Sequence, residues 1–394
     1  MDSSASTLIL FPSLDLKTER ENGVLVFDTT LLEKQPNLPT QFLWPHEDLA
    51  YAAEHELPDP PVDLKGFFNG DQEATVFAAA QIRTACLNHG FFQVVNHGVD
   101  ASLVHAAHQH MDAFFKLPLS TKLRIKREQG SLCGYSGAHA DRFSSKLPWK
   151  ETLSFTYKHA NEPTVLDVVN YIKSSLGKEF EGAGHVYQKY CEEMKNLSLA
   201  IMELLAIGLG VEQSHYRKFF EDGGSVMRGN NYPPCKQAGL TLGTGPHSDP
   251  NSLTILHQDE VGGLEIFADS KWQAITPRPD AFVVNIGDTL MALSNGRYKS
   301  CIHRAVVNKE RVRRSLVFFV NPKEDKVVRP LRILFVEKSQ ESTQISHGWI
   351  CNNSHKTTTE QIPLPSKTSS IGFIPTQNMT TLKISANCSL DAFS

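Results

Sequence analysis

The chain has 394 residues, with 39 Lys plus Arg against 43 Asp plus Glu and a formal net charge of -4. That length supports one or two domains with a buried core that needs no disulfide or metal staple, and the charge balance excludes the broad basic field of a general nucleic-acid binder. No apolar run approaches the roughly 18 residues of a membrane span, and the opening Met1-Asp2-Ser3-Ser4 places an acid where a secretory signal carries positive charge.

Residues 1–60 are rich in Pro and acids, with apolar clusters at 8–11 and 41–45 but no sustained period, and read as an N-terminal arm laid over a core. Residues 61–224 read as a mainly helical region. From Asp71 a helical pattern runs through Val76, Ala79, Ala80, Arg83 and Leu87 to a stop at Gly90. Residues 91–95 read as a strand closed by the turn Asn96-His97-Gly98. A second helix carries Leu103, Ala107, Met111 and Phe114 on one face until Pro118. A third, longer one carries Val186, Tyr190, Met194, Leu197, Ile201 and Leu204 and ends at Gly208 to Gly210.

After residue 225 the texture changes to short β-type runs, at 253–257, 264–267, 272–275, 282–286, 301–307 and 315–320, separated by Gly, Pro, Asn and Asp. Strands so spaced predict a sandwich or barrel over 225–330. In 331–394, 26 of the 64 residues are Ser, Thr, Asn or Gln; such a composition buries little apolar surface and predicts a poorly ordered tail. The seven cysteines are odd in number and contain no Cys-x-x-Cys pair, so reduced thiols are expected. The expectation is a soluble, cytoplasmic monomer acting on a small molecule, without nucleic-acid or membrane partners.

Within the β-rich half lies Gly243-Thr244-Gly245-Pro246-His247-Ser248-Asp249. On a strand, side chains two apart share a face, so His247 and Asp249 can bind one ion together. His303, 54 residues after Asp249 in another strand-like run, is the best third ligand. Two imidazoles and a carboxylate on one face of an octahedral ion leave three positions open, the arrangement of non-haem Fe(II) oxygenases. A His-x-Asp pair alone is unspecific, and His257-Gln258-Asp259 repeats it ten residues on. Arg313-Arg314-Ser315, ten residues after His303, sharpens the pattern. Arg313 and Ser315 share a strand face, and a guanidinium with a hydroxyl beside it grips a carboxylate at two points.

With these residues the chain resembles the plant branch of the 2-oxoglutarate and Fe(II)-dependent dioxygenases, from about Asp63 to Pro330. The likeness is carried by Gly90-Phe91-Phe92-Gln93-Val94-Val95-Asn96-His97-Gly98-Val99, Asn230-Asn231-Tyr232-Pro233-Pro234-Cys235, the His247 and Asp249 pair, Asn285-Ile286-Gly287-Asp288, Leu293-Ser294-Asn295-Gly296-Arg297-Tyr298-Lys299-Ser300, His303, and Arg313 with Ser315. It implies an α+β protein with a mainly β core, a double-stranded β-helix or jelly roll flanked by helices. It implies that His247, Asp249 and His303 bind Fe(II), that Arg313 and Ser315 hold the distal carboxylate of 2-oxoglutarate, and that Tyr232 adds a hydroxyl to that pocket. The resemblance also implies O2 as the oxidant and ascorbate as the reductant.

Leu147-Pro148-Trp149-Lys150-Glu151-Thr152-Leu153-Ser154-Phe155 is similar to the signature segment of gibberellin 20-oxidases. Those enzymes oxidise carbon 20 of gibberellin precursors stepwise; such substrates carry a carboxylate, for which Lys150 or a nearby Arg is the candidate cation. The segment also reads as an ordinary amphipathic edge strand, and Lys150 as a solvated lysine. The chain departs from the family at Asn231, which stands where the first tyrosine of Asn-Tyr-Tyr-Pro-Pro-Cys is usual, and in the tail. Three other readings stay open: a related oxygenase acting on a flavonoid or another small molecule, a zinc hydrolase, and an inactive metal-binding splice product. The hydrolase leaves Arg313 and Ser315 without a role and lacks a His-Glu-x-x-His segment.

Overall fold

The computed structural model describes residues 27, 32, 37–49, 53–140, 146–158 and 167–336. The apolar cluster at 8–11 and the tail beyond 336 lie outside the described residues.

The first long helix, α1 (Gln72–Asn88), starts where Asp71 accepts a hydrogen bond from the Ala74 N–H, a side-chain N-cap. Its buried face is Thr75, Ala78, Ala79, Ile82, Ala85 and Cys86, while Val76 is 52% exposed. Of the expected positions Ala79 is buried and Leu87 packs partly against the core, while Val76, Ala80 and Arg83 face outward, so the face is rotated by about one residue. Ile82 with small Ala, Thr and Cys side chains lets the backbone approach its neighbours closely, and that outweighs the bulk of Val76. Gly90 ends the helix region with φ 74°, and a Cβ there would lie 1.9 Å from the Lys299 carbonyl oxygen, so both conformation and space demand glycine.

Helix α2 (Ala101–Phe115) is capped by Asp100 and buries Val104, Ala107, Met111, Phe114 and Phe115. A shorter α3 (Val168–Leu176) is capped by Asp167. The 28-residue α4 (Glu181–Gly208) buries Tyr190, Met194, Leu197, Ile201 and Leu204, as their spacing predicts, and α5 (Ser214–Phe220) follows it.

Thirteen strands are present among the described residues: β1 (His55–Glu56), β2 (Val62–Asp63), β3 (Phe91–Val95), β4 (Gly134–Gly137), β5 (Glu151–Tyr157), β6 (Ser225–Tyr232), β7 (Leu242–His247), β8 (Leu253–Gln258), β9 (Leu264–Ala268), β10 (Lys271–Ala274), β11 (Phe282–Ile286), β12 (His303–Val306) and β13 (Arg313–Val320). They form an eight-stranded sheet in the order β2-β3-β11-β8-β13-β6-β5-β4 and a five-stranded sheet in the order β1-β10-β9-β12-β7. The larger sheet therefore takes four strands from the region read as helical.

Alternation along the strands sorts the two faces. Phe92, Val94, Phe155, Met227, Ile255, Val284, Leu316 and Phe318 join α1, α2 and α4 in the main core. Their neighbours Tyr232, Asn285, Arg313 and Ser315 point to the opposite face. One cluster runs from Val62 to Leu334, the last on a single helical turn, Ile333–Val336, at the start of the region read as tail.

Glu151–Tyr157 is no edge strand. It lies between β4 and β6 with every residue but Thr156 buried. Just before it, Trp149 packs edge-on against Phe27 and Phe42 of the N-terminal arm, at centroid distances of 5.4 and 5.1 Å, and its indole N–H donates to the Pro233 carbonyl. No helix among the described residues is long and apolar enough to cross a membrane.

Candidate active site

The expected ligands converge. His247 ends β7 and His303 opens β12, and the antiparallel pairing sets them directly opposite each other. Asp249 is not on the strand with His247, as the period of two assumed, but in the turn beyond its end. The turn still delivers the carboxylate: Asp249 Oδ1 lies 3.7 Å from the Nε2 of His247 and 3.7 Å from that of His303. Among the described residues these three are the one His, Cys, Asp and Glu group able to hold a metal ion, with ligand atoms all within 4.8 Å of one another.

The tautomers suit a metal. His247 Nδ1 lies 2.8 Å from the Gly245 carbonyl and His303 Nδ1 3.2 Å from that of Cys301. A carbonyl only accepts, so both Nδ1 atoms carry the proton and both Nε2 lone pairs face Asp249. Burial, with His303 and Lys150 nearby, drives His247 far below the usual imidazole value and keeps it neutral. Burial alone would raise the Asp249 carboxyl, yet the group is held below its usual value, and with both imidazoles neutral the hydrogen bonds from Asn285 and Thr254 are what keep it ionised.

The pair His257 and Asp259 does not join the site. His257 turns to the helix side of β8, where its Nδ1 lies 2.8 Å from His108 Nε2. Asp259 accepts backbone N–H bonds from Arg314 at 2.6 Å and Val261 at 3.1 Å.

Across the same interior face stand the candidate cosubstrate residues. Arg313 is 1% exposed, with Nη2 donating to Gln258 Oε1 at 3.0 Å and the guanidinium 4.8 Å from the Tyr232 ring centroid. Its Nε and Nη1 are buried without a partner among the described residues. A buried cation with two idle donors is costly unless an anion completes it, which fits a carboxylate ligand. Ser315, beside it on β13, accepts from Asn230 Nδ2 at 3.1 Å. The Tyr232 hydroxyl and the Lys150 ammonium both approach Thr244 Oγ1, at 3.5 and 2.9 Å, so Lys150 is a buried residue of this interior and not a solvated one.

Sequence reading missed Thr254, Asn285, Asn230 and Gln258 as site residues. Asn230, Gln258 and Asn285 stand within named motifs but without a role there, and no local pattern gives them or Thr254 one, because strand register brings them to the site.

Two family models match the chain: the 2OG-Fe(II) oxygenase superfamily over residues 223–322, and the non-haem dioxygenase in morphine synthesis N-terminal model over 60–173. Gibberellin 20 oxidase 2 of Oryza sativa subsp. japonica is 57% identical over 300 residues, 76% of this chain and 76% of that protein. Gibberellin 20 oxidase 2 of Arabidopsis thaliana is 52% identical over 319 residues, covering 81% and 82%. Among solved structures, JOX2 in complex with 2OG, Fe and JA superposes with a TM-score of 0.66 at 32% identity, covering 79% of this chain and 87% of that one. The 2-oxoglutarate complex of AtDAO1, a dioxygenase for auxin oxidation from Arabidopsis thaliana, gives 0.58 at 26% identity, covering 70% and 97%. With matches over most of its length, the chain belongs to the 2OG-Fe(II) oxygenase superfamily as an Fe(II)- and 2-oxoglutarate-dependent dioxygenase.

Proposed function

We propose that the protein is a gibberellin 20-oxidase-like dioxygenase. It oxidises carbon 20 of gibberellin precursors from methyl to alcohol to aldehyde and then releases that carbon, consuming O2 and 2-oxoglutarate, with ascorbate as reductant. The observation that carries this reading is the identity above one half with gibberellin 20 oxidases over three quarters of their length.

Iron held by His247, Asp249 and His303 supplies the oxidising chemistry when bound. The chain's own residues bind and orient. Arg313 and Ser315 take the far carboxylate of 2-oxoglutarate, with the Tyr232 ring against the guanidinium and its hydroxyl near by. That fixes which end of the cosubstrate reaches the three ligands. On the same sheet face Val226, Val317 and Phe319 form a buried apolar cluster, suited to a terpenoid skeleton and to keeping water away. Lys150, buried beside Tyr232, is the cation for a substrate carboxylate.

Incubation with Fe(II), 2-oxoglutarate, ascorbate and a twenty-carbon gibberellin precursor is expected to yield the alcohol, the aldehyde and the nineteen-carbon lactone by mass spectrometry. Consumption of a flavonoid with no oxidised gibberellin would replace this substrate assignment and keep the reaction class.

A further inference from the structure

We propose that Thr254 and Asn285 clamp one oxygen of Asp249 so that only the other can reach a metal. This inference rests on the assignment of His247, Asp249 and His303 as ligands and goes beyond it. Asp249 Oδ2 accepts from Thr254 Oγ1 at 2.6 Å and from Asn285 Nδ2 at 2.8 Å. Oδ1 is the oxygen that faces both histidines.

The two donors come from neighbouring strands, and their convergence is a matter of register: Thr254 of β8 and Asn285 of β11 are direct partners across the antiparallel pair, on the same face. Thr254 is itself aimed. Asn251 Nδ2 donates to its oxygen at 3.1 Å and to the Leu253 carbonyl at 2.9 Å; the hydroxyl's other acceptor, Asn251 Oδ1, lies at 3.4 Å against 2.6 Å to Asp249, so the shorter and charged acceptor takes the proton. All four side chains are buried, at 5% exposure or less, and water does not compete for these bonds.

The consequence is a count of coordination positions. A carboxylate that bound through both oxygens would occupy a fourth position of an octahedral ion and leave two. Held through Oδ1 alone it leaves three, enough for a two-toothed cosubstrate and one further molecule. Two-toothed binding by Asp249 requires Oδ2 to give up both hydrogen bonds inside a dry interior, which disfavours it. Thr254 and Asn285 are therefore positioning residues, acting on the metal through Asp249.

The test is anaerobic Co(II) titration of the full chain, read by the visible absorption bands of Co(II), which report coordination number, with a thermal melt on each sample. Thr254→Val and Asn285→Ala are each expected to weaken Co(II) affinity about 10- to 100-fold and to alter the bands, whereas Thr254→Ser, which keeps the hydroxyl, restores both. Asn285→Ala keeps the test decisive where Thr254→Val does not fold. Wild-type affinity and bands in folded Thr254→Val and Asn285→Ala would overturn the clamp. Equal binding by wild type and Asp249→Ala would overturn the ligand assignment itself.

Discussion

His303 stands directly opposite His247 across the β12–β7 pair, ring centroids 4.2 Å apart, and each ring donates its Nδ1 proton to the carbonyl two residues before it. Each imidazole is thereby held by its own segment, while strand pairing brings the two together. The third ligand is held differently, by a turn and two side-chain donors from the larger sheet. The site thus joins both sheets.

Removal of the carboxylate tests which His-x-Asp pair matters. Asp249→Ala is expected to abolish Fe(II) binding and turnover. Asp259→Ala removes the acceptors for the backbone N–H groups of Arg314 and Val261 and a negative charge near Arg313, but no atom of the three-residue group, so iron affinity stays near wild type. Equal iron loss in both variants, measured by anaerobic titration, would contradict the assignment.

Arg313→Ala removes the buried guanidinium whose Nε and Nη1 have no partner among the described residues. Breaking a charge-assisted pair in a closed pocket costs about 2 to 5 kcal/mol, which corresponds to a roughly thirtyfold to several-thousandfold rise in the 2-oxoglutarate dissociation constant. Isothermal titration with 2-oxoglutarate on metal-loaded protein gives the number, and an unchanged constant would remove the cosubstrate role of Arg313.

The Lys122–Glu151 pair anchors β5 beneath the site: Nζ contacts both carboxylate oxygens at 3.0 Å, with side-chain exposures of 6% and 1%. Lys122→Met removes the ammonium that meets both oxygens of this buried carboxylate and is expected to destabilise the fold by about 3 to 5 kcal/mol. The double change Lys122→Met with Glu151→Leu should recover much of that loss in urea unfolding. A double variant no more stable than the single one would mean that the ion pair is not the cause.

His108 and His257 predict a pH dependence of stability. Burial, then the neighbouring His257, Arg314 and His105, push His108 down to about 3, and burial lowers His257 as well. His97, Asp112, Asp259 and Asp280 also face this cluster. The pKa of His108 in the folded state lies below the unfolded value of about 6.5, so the unfolded chain takes up its proton first as pH falls. The contribution of His108 is complete above about pH 6.5. It then declines by up to about 1.4 kcal/mol per pH unit and is exhausted near pH 3. His108→Asn should flatten the fall in unfolding free energy between pH 6.5 and 5 by up to one proton's worth; identical slopes would exclude His108 as its source.

The chemistry was legible in the chain because it needs fixed residue types at fixed offsets. His247, Asp249 and His303, then Arg313 with Ser315, are set apart by constraints that survive projection onto one dimension. So are the long periodic helix of α4 and the short β-type runs after residue 225, whose side-chain period follows from backbone geometry alone.

What the tertiary structure decided is where each chemistry-bearing side chain points. The pairs His247/Asp249 and His257/Asp259 share one local pattern; the family resemblance put the ligands at the first, and the structure supplies the physical reason, since His257 faces α2 and His247 faces β12. The buried face of α1 was misplaced because, apart from Ile82, it is made of Ala, Thr and Cys, whose burial is decided by close backbone approach and not by their own hydrophobicity. Thr254 and Asn285 were beyond sequence reading for the same kind of reason. They meet on one carboxylate oxygen through the register of β8 with β11, a long-range pairing that is set by how both sheets fill their faces and that no local pattern encodes.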